Sequence, residues 1–237
     1  MAYQDIFKRY ELKFLLSPEQ YRVVRSAMDG RMKGDKYGES DICNLYCDTP
    51  DFILARRSNE KPFYKEKLRI RSYGIAKADS DVFVEIKKKY DSVVYKRRIV
   101  TDEETAIGML DGDSTDERQI AKEITYFARF YAGIRPQMFI SYRREAFYGI
   151  DDKSFRMTFD RSILWRTHDL TLQRGIYGAP VLPEGKILME VKTAAAIPLW
   201  LVKVLSENKI YKTSFSKYGT AYIMMQSDIS QGGQKVA

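Results

Sequence analysis

Alternation of apolar and charged positions runs through much of this chain, and it predicts strands with one greasy and one charged face. Successive side chains on a strand point to opposite sides. In Lys67-Leu68-Arg69-Ile70-Arg71 the lysine and both arginines share one face, and the two aliphatic residues share the other. Val84 and Ile86 oppose Glu85 and Lys87, Met189 and Val191 oppose Glu190 and Lys192, and Leu12 and Phe14 oppose Glu11 and Lys13. Tyr142 shares a face with Arg144, as Arg156 does with Thr158 and Asp160. The strands read from these patterns are Phe7–Leu16, Ile42–Asp48, Tyr64–Tyr73, Asp81–Tyr90, Val93–Val100, Gln137–Tyr148, Phe155–Asp160, Ile163–Thr167 and Lys186–Thr193. Asp91-Ser92 is a tight turn, so the two strands flanking it form a hairpin.

Helices are marked by their start signals. Ser17-Pro18-Glu19-Gln20 supplies a capping hydroxyl, a proline at the first helical position and a glutamine three after the cap. That helix runs to about Met28, and Gly30 stops it. Thr49-Pro50-Asp51 opens a short helix carrying Phe52, Ile53 and Leu54. Thr101-Asp102-Glu103-Glu104 reads as a second capping box for a helix to about Leu110, broken at Gly112–Ser114. Further helices are expected over about Thr115–Tyr131, Pro198–Asn208 and Ser216–Gln226. With no internal repeat and no linker, one domain is expected over residues 1–226, followed by a flexible tail over 227–237.

These helices need apolar surface to cover. If they pack on the apolar strand faces from outside, the charged faces must look at one another. The expected fold class is therefore α+β: a closed antiparallel barrel of about eight strands, with a charged lumen and external helices. An antiparallel sheet with one wet face is the simpler alternative.

Composition sharpens this. The chain has 237 residues, 44% hydrophobic and 30% charged, which suits a folded globular protein and not a disordered one. Forty Lys+Arg against 32 Asp+Glu leave a net charge of +8, interleaved along the chain, which points to a polyanionic partner. Cys43 and Cys47 share a strand face about 13 Å apart by strand rise, too far for a disulfide. His168 is the single histidine, so a zinc site is not expected. The short polar start Met1–Arg9, unpaired cysteines and lack of a ~20-residue apolar run lead to an expected cytoplasmic location, with no direct membrane insertion.

Lys13, Arg69, Arg71, Lys87, Arg144, Arg156 and Lys192 pool seven positive charges, which Glu11, Glu85 and Glu190 only partly offset. A desolvated cluster with that surplus is costly unless an anion fills it. Arginine grips phosphate bidentately and lysine acts as a point charge. The carboxylates are hard oxygen ligands suited to Mg2+ or Mn2+ bridging phosphate oxygens. Together they fit a tri- or polyphosphate with a divalent cation. A nucleic-acid groove would instead interleave exposed stacking aromatics with its basic residues, so no nucleic-acid partner is expected.

Several segments carry a family resemblance: Arg9-Tyr10-Glu11-Leu12-Lys13, Leu45-Tyr46-Cys47-Asp48-Thr49, Lys67 to Arg71, Phe83 to Lys87, Tyr142 to Phe147, Arg156 to Asp160, Leu188 to Lys192 and Phe215-Ser216-Lys217-Tyr218. In this order, over roughly Phe7 to Met225, the chain resembles the VTC domain. That is the polyphosphate polymerase domain of the vacuolar transporter chaperone type, within the triphosphate tunnel (CYTH-like) superfamily. The resemblance implies that Lys13, Arg69, Arg71, Lys87, Arg144 and Arg156 bind phosphate, that Ser216 and Lys217 form a C-terminal phosphate contact, and that Glu190 is the metal-binding glutamate. An ion pair with a neighbouring arginine is the structural alternative for Glu190. The superfamily marks its first strand with Glu-x-Glu-x-Lys. Arg9 stands here at the first position, a departure that favours the VTC-like branch.

The implied reaction is transfer of the ATP γ-phosphate to polyphosphate with Mn2+ or Mg2+, the terminal phosphate oxygen being the nucleophile. Arg69, Arg71, Lys87, Arg144 and Lys192 are the residues expected to position and neutralise the transferring group. No Walker A sequence is present, so side chains must hold the phosphates. A tunnel triphosphatase and a non-catalytic polyphosphate- or nucleotide-binding module are the alternatives. Nothing in the sequence fixes an oligomeric state.

Overall fold

The structure is a computed structural model that describes residues 10–60, 62–91, 93–112, 114–194 and 196–232. Expectations that fall on Phe7–Arg9, Ser92, Asp113 and residues 233–237 lie outside the described residues. The elements, in order, are β1 (Tyr10–Leu16), α1 (Pro18–Ala27), β2 (Met32–Asp48), α2 (Ile53–Asn59), β3 (Tyr64–Tyr73), β4 (Val82–Tyr90) and β5 (Val93–Thr101). Then come α3 (Glu103–Gly108), α4 (Gln119–Phe130), β6 (Arg135–Gly149), β7 (Arg156–Arg166), β8 (Ala179–Pro180), β9 (Ile187–Thr193), α5 (Leu199–Glu207), β10 (Lys212–Thr213) and α6 (Lys217–Gly232).

Contacts group the chain into two compact units. Unit 1 is built from residues up to Asp41, Tyr142–Ile163 and Leu182–Phe215; unit 2 from Ile42–Ser141, Leu164–Val181 and Ser216 onward. The strand order is β10-β1-β9-β7-β6-β2 in unit 1 and β6-β2-β3-β4-β5 in unit 2, with β8 on β7. The strands pair antiparallel and lie with helices, as the α+β expectation has it, while among the described residues no pair joins the strands at the two ends of this order into the closed barrel of about eight strands expected from the sequence. No helix among the described residues is long and apolar enough to cross a membrane.

In unit 1, Phe14 and Leu16 of β1, Met157 and Phe159 of β7, and Met189 and Val191 of β9 pack under Val24 and Met28 near α1 and Leu201 and Leu205 of α5. In unit 2, Leu68 and Ile70 of β3 and Val84 and Ile86 of β4 pack under Leu54 of α2, Ala106 of α3, and Ile124 and Phe127 of α4. Within each unit the helices therefore cover the apolar strand faces, as the alternation predicts.

Local signals held at some ends and shifted at others. The capping box at Ser17 forms, with Gln20 N donating to Ser17 Oγ at 3.2 Å and Ser17 N to Gln20 Oε1 at 3.0 Å. The short second helix starts at Ile53, because Phe52 is left-handed (φ 56°) and the buried Asp48 carboxylate receives the amides of Leu54 and Ala55 at 2.9 Å. The third helix is capped by Asp102, which accepts from Thr105 N at 2.8 Å, so the cap is Asp102 and not the expected Thr101. The next starts at Gln119, not Thr115. β2 begins at Met32, since backbone pairing holds a stretch whose polar residues show no apolar face. Ile163–Thr167 joins Phe155–Asp160 in the single strand β7. The last helix continues to Gly232, so residues 227–232 of the expected flexible tail are helical.

Candidate functional site

Each unit presents a charged strand face opposite its helix-covered one. In unit 2 the antiparallel registers set Arg69 across from Tyr46 and Glu85, and Glu85 across from Arg98. One row along, Lys67 lies opposite Lys87, and Lys87 opposite Lys96; in the next, Lys65 lies opposite Lys89. On β3 to β5 this face carries Lys65, Lys67, Arg69, Arg71, Lys87, Lys89, Lys96 and Arg98 against the carboxylate of Glu85.

Glu85 is 1% exposed and is the hub of this face. Arg69 Nε and Nη2 each lie 2.7 Å from its Oε2, Arg71 Nε is 3.9 Å away, and Lys96 Nζ pairs with Oε1. Burial works to raise this carboxyl, but the three cations outweigh it and hold it far below the usual range. Desolvation pushes the Lys96 ammonium down to about 8, with Glu85 pulling the other way. Arg71 Nε donates to Asn44 Oδ1 at 2.8 Å, and Arg69 Nη1 to the Tyr46 hydroxyl at 3.2 Å. The guanidinium groups expected to clamp phosphate are thus held on this face by partners the chain itself provides.

The start of α6 joins the same face. Lys67 Nζ donates to Ser216 Oγ at 2.9 Å, and Ser216 Oγ accepts from Gly219 N at 3.0 Å, so Ser216 caps the helix while touching the lysine row. Lys217 follows, buried, in the first turn. Positive partial charge at a helix N-terminus adds to this cationic surface. Tyr218 fixes the helix: its ring stacks on Tyr46 at 4.6 Å, and its hydroxyl donates to Asp48 Oδ2 at 2.7 Å.

In unit 1, Lys13 lies opposite Glu190 and Glu11 opposite Lys192; Glu190 and Lys192 in turn face Thr158 and Arg156. Arg144 reaches Asp160 bidentately, at 2.6 and 2.7 Å. Glu190, 7% exposed, has Arg144 at 3.6 Å, Lys13 at 3.8 Å and Lys192 at 3.9 Å. Lys13 also lies 3.1 Å from Glu11 and donates to the Phe215 carbonyl at 2.8 Å. Arg156 is exposed.

The predicted residues therefore fall into two groups: Arg69, Arg71, Lys87, Ser216 and Lys217 in unit 2, and Lys13, Arg144, Arg156, Lys192 and Glu190 in unit 1. Lys67, Lys96, Arg98 and Asp160 join them as side chains not assigned a site role from the sequence. The signal available for the fifth strand was its basic run Lys96-Arg97-Arg98, in which a period of two puts Lys96 and Arg98 on one face. For Asp160 the alternation gave the face it shares with Arg156 and Thr158, and only folding sets it against Arg144.

Among the described residues no group of three or more His, Cys, Asp or Glu is placed to hold a metal ion. Mg2+ characteristically takes one or two carboxylates and leaves the remaining positions to phosphates and water. Glu190 is a single carboxylate of the kind such an ion would use, and in this structure Arg144, Lys13 and Lys192 meet its charge.

Three comparisons bear on this arrangement. A sequence model of the family described as the VTC domain matches residues 8–226. A search of curated proteins finds no match. Among solved structures, a candidate adenylate cyclase of Bacillus halodurans is similar with a TM-score of 0.55 at 14% identity, covering 90% of this chain and 94% of that one. A candidate adenylate cyclase of Vibrio parahaemolyticus scores 0.52 at 12% identity, covering 92% and 99%. A candidate adenylyl cyclase of Hippeastrum, described as having a dominant triphosphatase activity, scores 0.52 at 17% identity, covering 88% and 92%. At these identities the likeness is one of fold.

Proposed function

Because the chain belongs to the VTC-domain family, with CYTH-like triphosphate tunnel proteins as its structural neighbours, we propose that it is a phosphotransferase that moves the ATP γ-phosphate onto inorganic polyphosphate. The observation that supports this best is the charged face of unit 2: three lysines abreast, Arg69 and Arg71 behind them, and the capped start of α6 beside Lys67. Such a surface fits a chain of phosphates better than a single anion.

In the proposed step, a terminal oxygen of the polyphosphate attacks the γ-phosphorus. The bond from that phosphorus to the oxygen bridging to the β-phosphate breaks, and ADP departs with the electron pair. No protein nucleophile is needed. Arg69, Arg71 and Lys87 would orient the phosphates and neutralise charge as it shifts toward the leaving group. Lys67, Ser216 and Lys217 would hold a phosphate at the helix N-terminus. In unit 1, Lys13, Arg144, Arg156 and Lys192 would contact phosphate, with Glu190 as the protein ligand of Mn2+ or Mg2+. The ion would supply charge neutralisation at the phosphate oxygens.

Hydrolysis of triphosphates is the second reading, favoured by the description of the Hippeastrum fold neighbour. Incubation with ATP and Mn2+, followed by a gel stained for polyphosphate and an orthophosphate assay, separates the readings. Long chains support the polymerase. Orthophosphate alone supports the hydrolase, and polyanion binding with neither product supports a binding module.

A further inference from the structure

Unit 1 holds a cavity of about 360 Å3 on the side of β7 away from Arg156, Thr158 and Asp160. Met157 and Phe159 alternate with those residues and pack under the helices of this unit. Arg161 continues their face, its guanidinium 4.7 Å from the centre of the Tyr21 ring of α1. The cavity is lined by Tyr21 and Arg22 of α1, Arg161 and Ser162 of β7, and Lys186 and Ile187 at the entry to β9. Its volume is at the lower end of the range for small-molecule sites. None of its lining residues has a part in the proposed phosphotransfer.

Backbone and charge both shape this cavity for a ligand. Ser162 has φ 47°, a left-handed state unfavourable for a residue with a side chain. In a regular strand it would point away from Arg161; here the two line the same cavity. Three cations line it and no carboxylate does. Arg161 is held by Glu145 and, at 3.7 Å, by Glu39. It also donates to the Tyr21 hydroxyl at 2.6 Å, and that hydroxyl donates to Glu145 at 3.1 Å, so this wall is fixed. Arg22 meets Glu19 at 3.1 Å, but these side chains are 71% and 72% exposed, and such a pair is screened and readily exchanged. Lys186 is drawn to the same carboxylate. One exposed glutamate thus serves two cations of the cavity.

We propose that this cavity binds a small molecule carrying a phosphate monoester on a planar body. Arg22, Lys186 and the Ser162 hydroxyl supply donors to the phosphate, whose three terminal oxygens accept more of them than a carboxylate can. Pro18, Tyr21 and Ile187 supply the apolar surface on which the planar part lies. On binding, the phosphate takes the place of Glu19 at Arg22 and Lys186, while Arg161 keeps its own carboxylates. The inference stands apart from the phosphotransfer reading, since it uses the other side of β7 and different side chains.

The test titrates phenyl phosphate, and orthophosphate beside it, into isotope-labelled protein and follows the backbone amide resonances. Phenyl phosphate should shift the amides of Tyr21, Ser162 and Gly185 saturably, and orthophosphate should bind there more weakly. Arg22→Gln/Lys186→Gln should lose about tenfold in affinity for phenyl phosphate, the sum of two partly exposed ion contacts. Should the double variant melt early, Arg22→Gln alone, at a solvated side chain, carries the same test. Ser162→Gly suits the left-handed backbone and removes the hydroxyl, so it should melt higher than wild type yet bind phenyl phosphate less tightly. Shifts that do not saturate, shifts at Lys67, Lys87 and Ser216 instead, or unchanged affinity in the double variant overturn the site. Orthophosphate binding as tightly as phenyl phosphate overturns the planar ligand class, and a Ser162→Gly chain that binds as well as wild type overturns the hydroxyl contact.

Discussion

Replacing Glu85 by glutamine tests the electrostatic logic of the unit 2 face. The carboxylate is 1% exposed and meets Arg69 through two contacts of 2.7 Å, Lys96 through an ion pair, and Arg71 at 3.9 Å. An amide of nearly the same shape keeps the packing but leaves three cations around a neutral group. Breaking a buried pair in this way typically costs about 3–5 kcal/mol. Lys96 is 40% exposed and can turn toward water, so the lower end, about 3 kcal/mol, is expected. At roughly 2–4 °C per kcal/mol for a chain of this size, the melting temperature should fall by roughly 6–12 °C. The same change removes the internal anion that competes with phosphate for Arg69 and Arg71. Tripolyphosphate should therefore bind Glu85→Gln more tightly than wild type, by about tenfold if about 1.4 kcal/mol of competition is relieved, and should restore most of the lost stability. The pH dependence has a definite sign. The folded carboxyl titrates far below its ordinary range, so its stabilising contribution is complete above about pH 4.3 and fades only as pH falls through the folded value. The gap between wild type and variant should stay constant from neutrality down to about pH 5 and close only in stronger acid. Thermal melts with and without tripolyphosphate, together with titration calorimetry, provide the measurements. A variant that melts with the wild type, or that stays folded and binds the polyanion more weakly, would refute the reasoning.

Three further outcomes are expected. Lys96 titrates near 8, and a bound polyanion favours its protonated form, so tripolyphosphate affinity should decline as pH rises past about 8. Calorimetry in two buffers of different ionisation enthalpy should then show proton uptake at pH 8 to 9, and a pH-independent affinity there would contradict it. Glu190→Gln should abolish metal-dependent turnover of ATP while leaving metal-free polyphosphate binding intact or tighter. A variant that melts early with full specific activity would assign Glu190 to ion pairing with Arg144, Lys13 and Lys192 instead. Tyr218→Phe removes one of the donors to the buried Asp48 carboxylate and should cost about 1–3 kcal/mol; hydrogen exchange should show the first turn of α6 opening more readily, and unchanged protection would mean the bond does not anchor the helix.

How far the sequence could be read differs from element to element for physical reasons. Where local chemistry suffices, it was legible: Ser17 and Gln20 satisfy each other's backbone amides within four residues, and the Val84/Ile86 and Leu68/Ile70 alternation assigns each side chain to a face without knowledge of any partner. The shift of the second helix to Ile53 was not legible, because its start depends on how the buried carboxylate of Asp48 is aimed at the amides of Leu54 and Ala55. The early part of β2 was hidden for a similar reason, since Met32 to Asp41 shows no clean period and is a strand through its backbone pairing.

The charged faces divide along the same line. Strand alternation alone put Arg69 with Arg71 and Glu190 with Lys192, since a period of two is a property of the extended backbone. Which charges meet across strands was decided by register, and a slip of one residue would have turned each face inside out. Register set Lys67, Lys87 and Lys96 abreast, put Glu85 between Arg69 and Arg98, and brought Thr158 and Lys13 to either side of Glu190. The sequence by itself determined that this chain would carry cationic strand faces. Tertiary structure decided which cations Glu85 and Glu190 meet and which cations stand side by side on neighbouring strands, because both depend on distances between residues far apart in sequence.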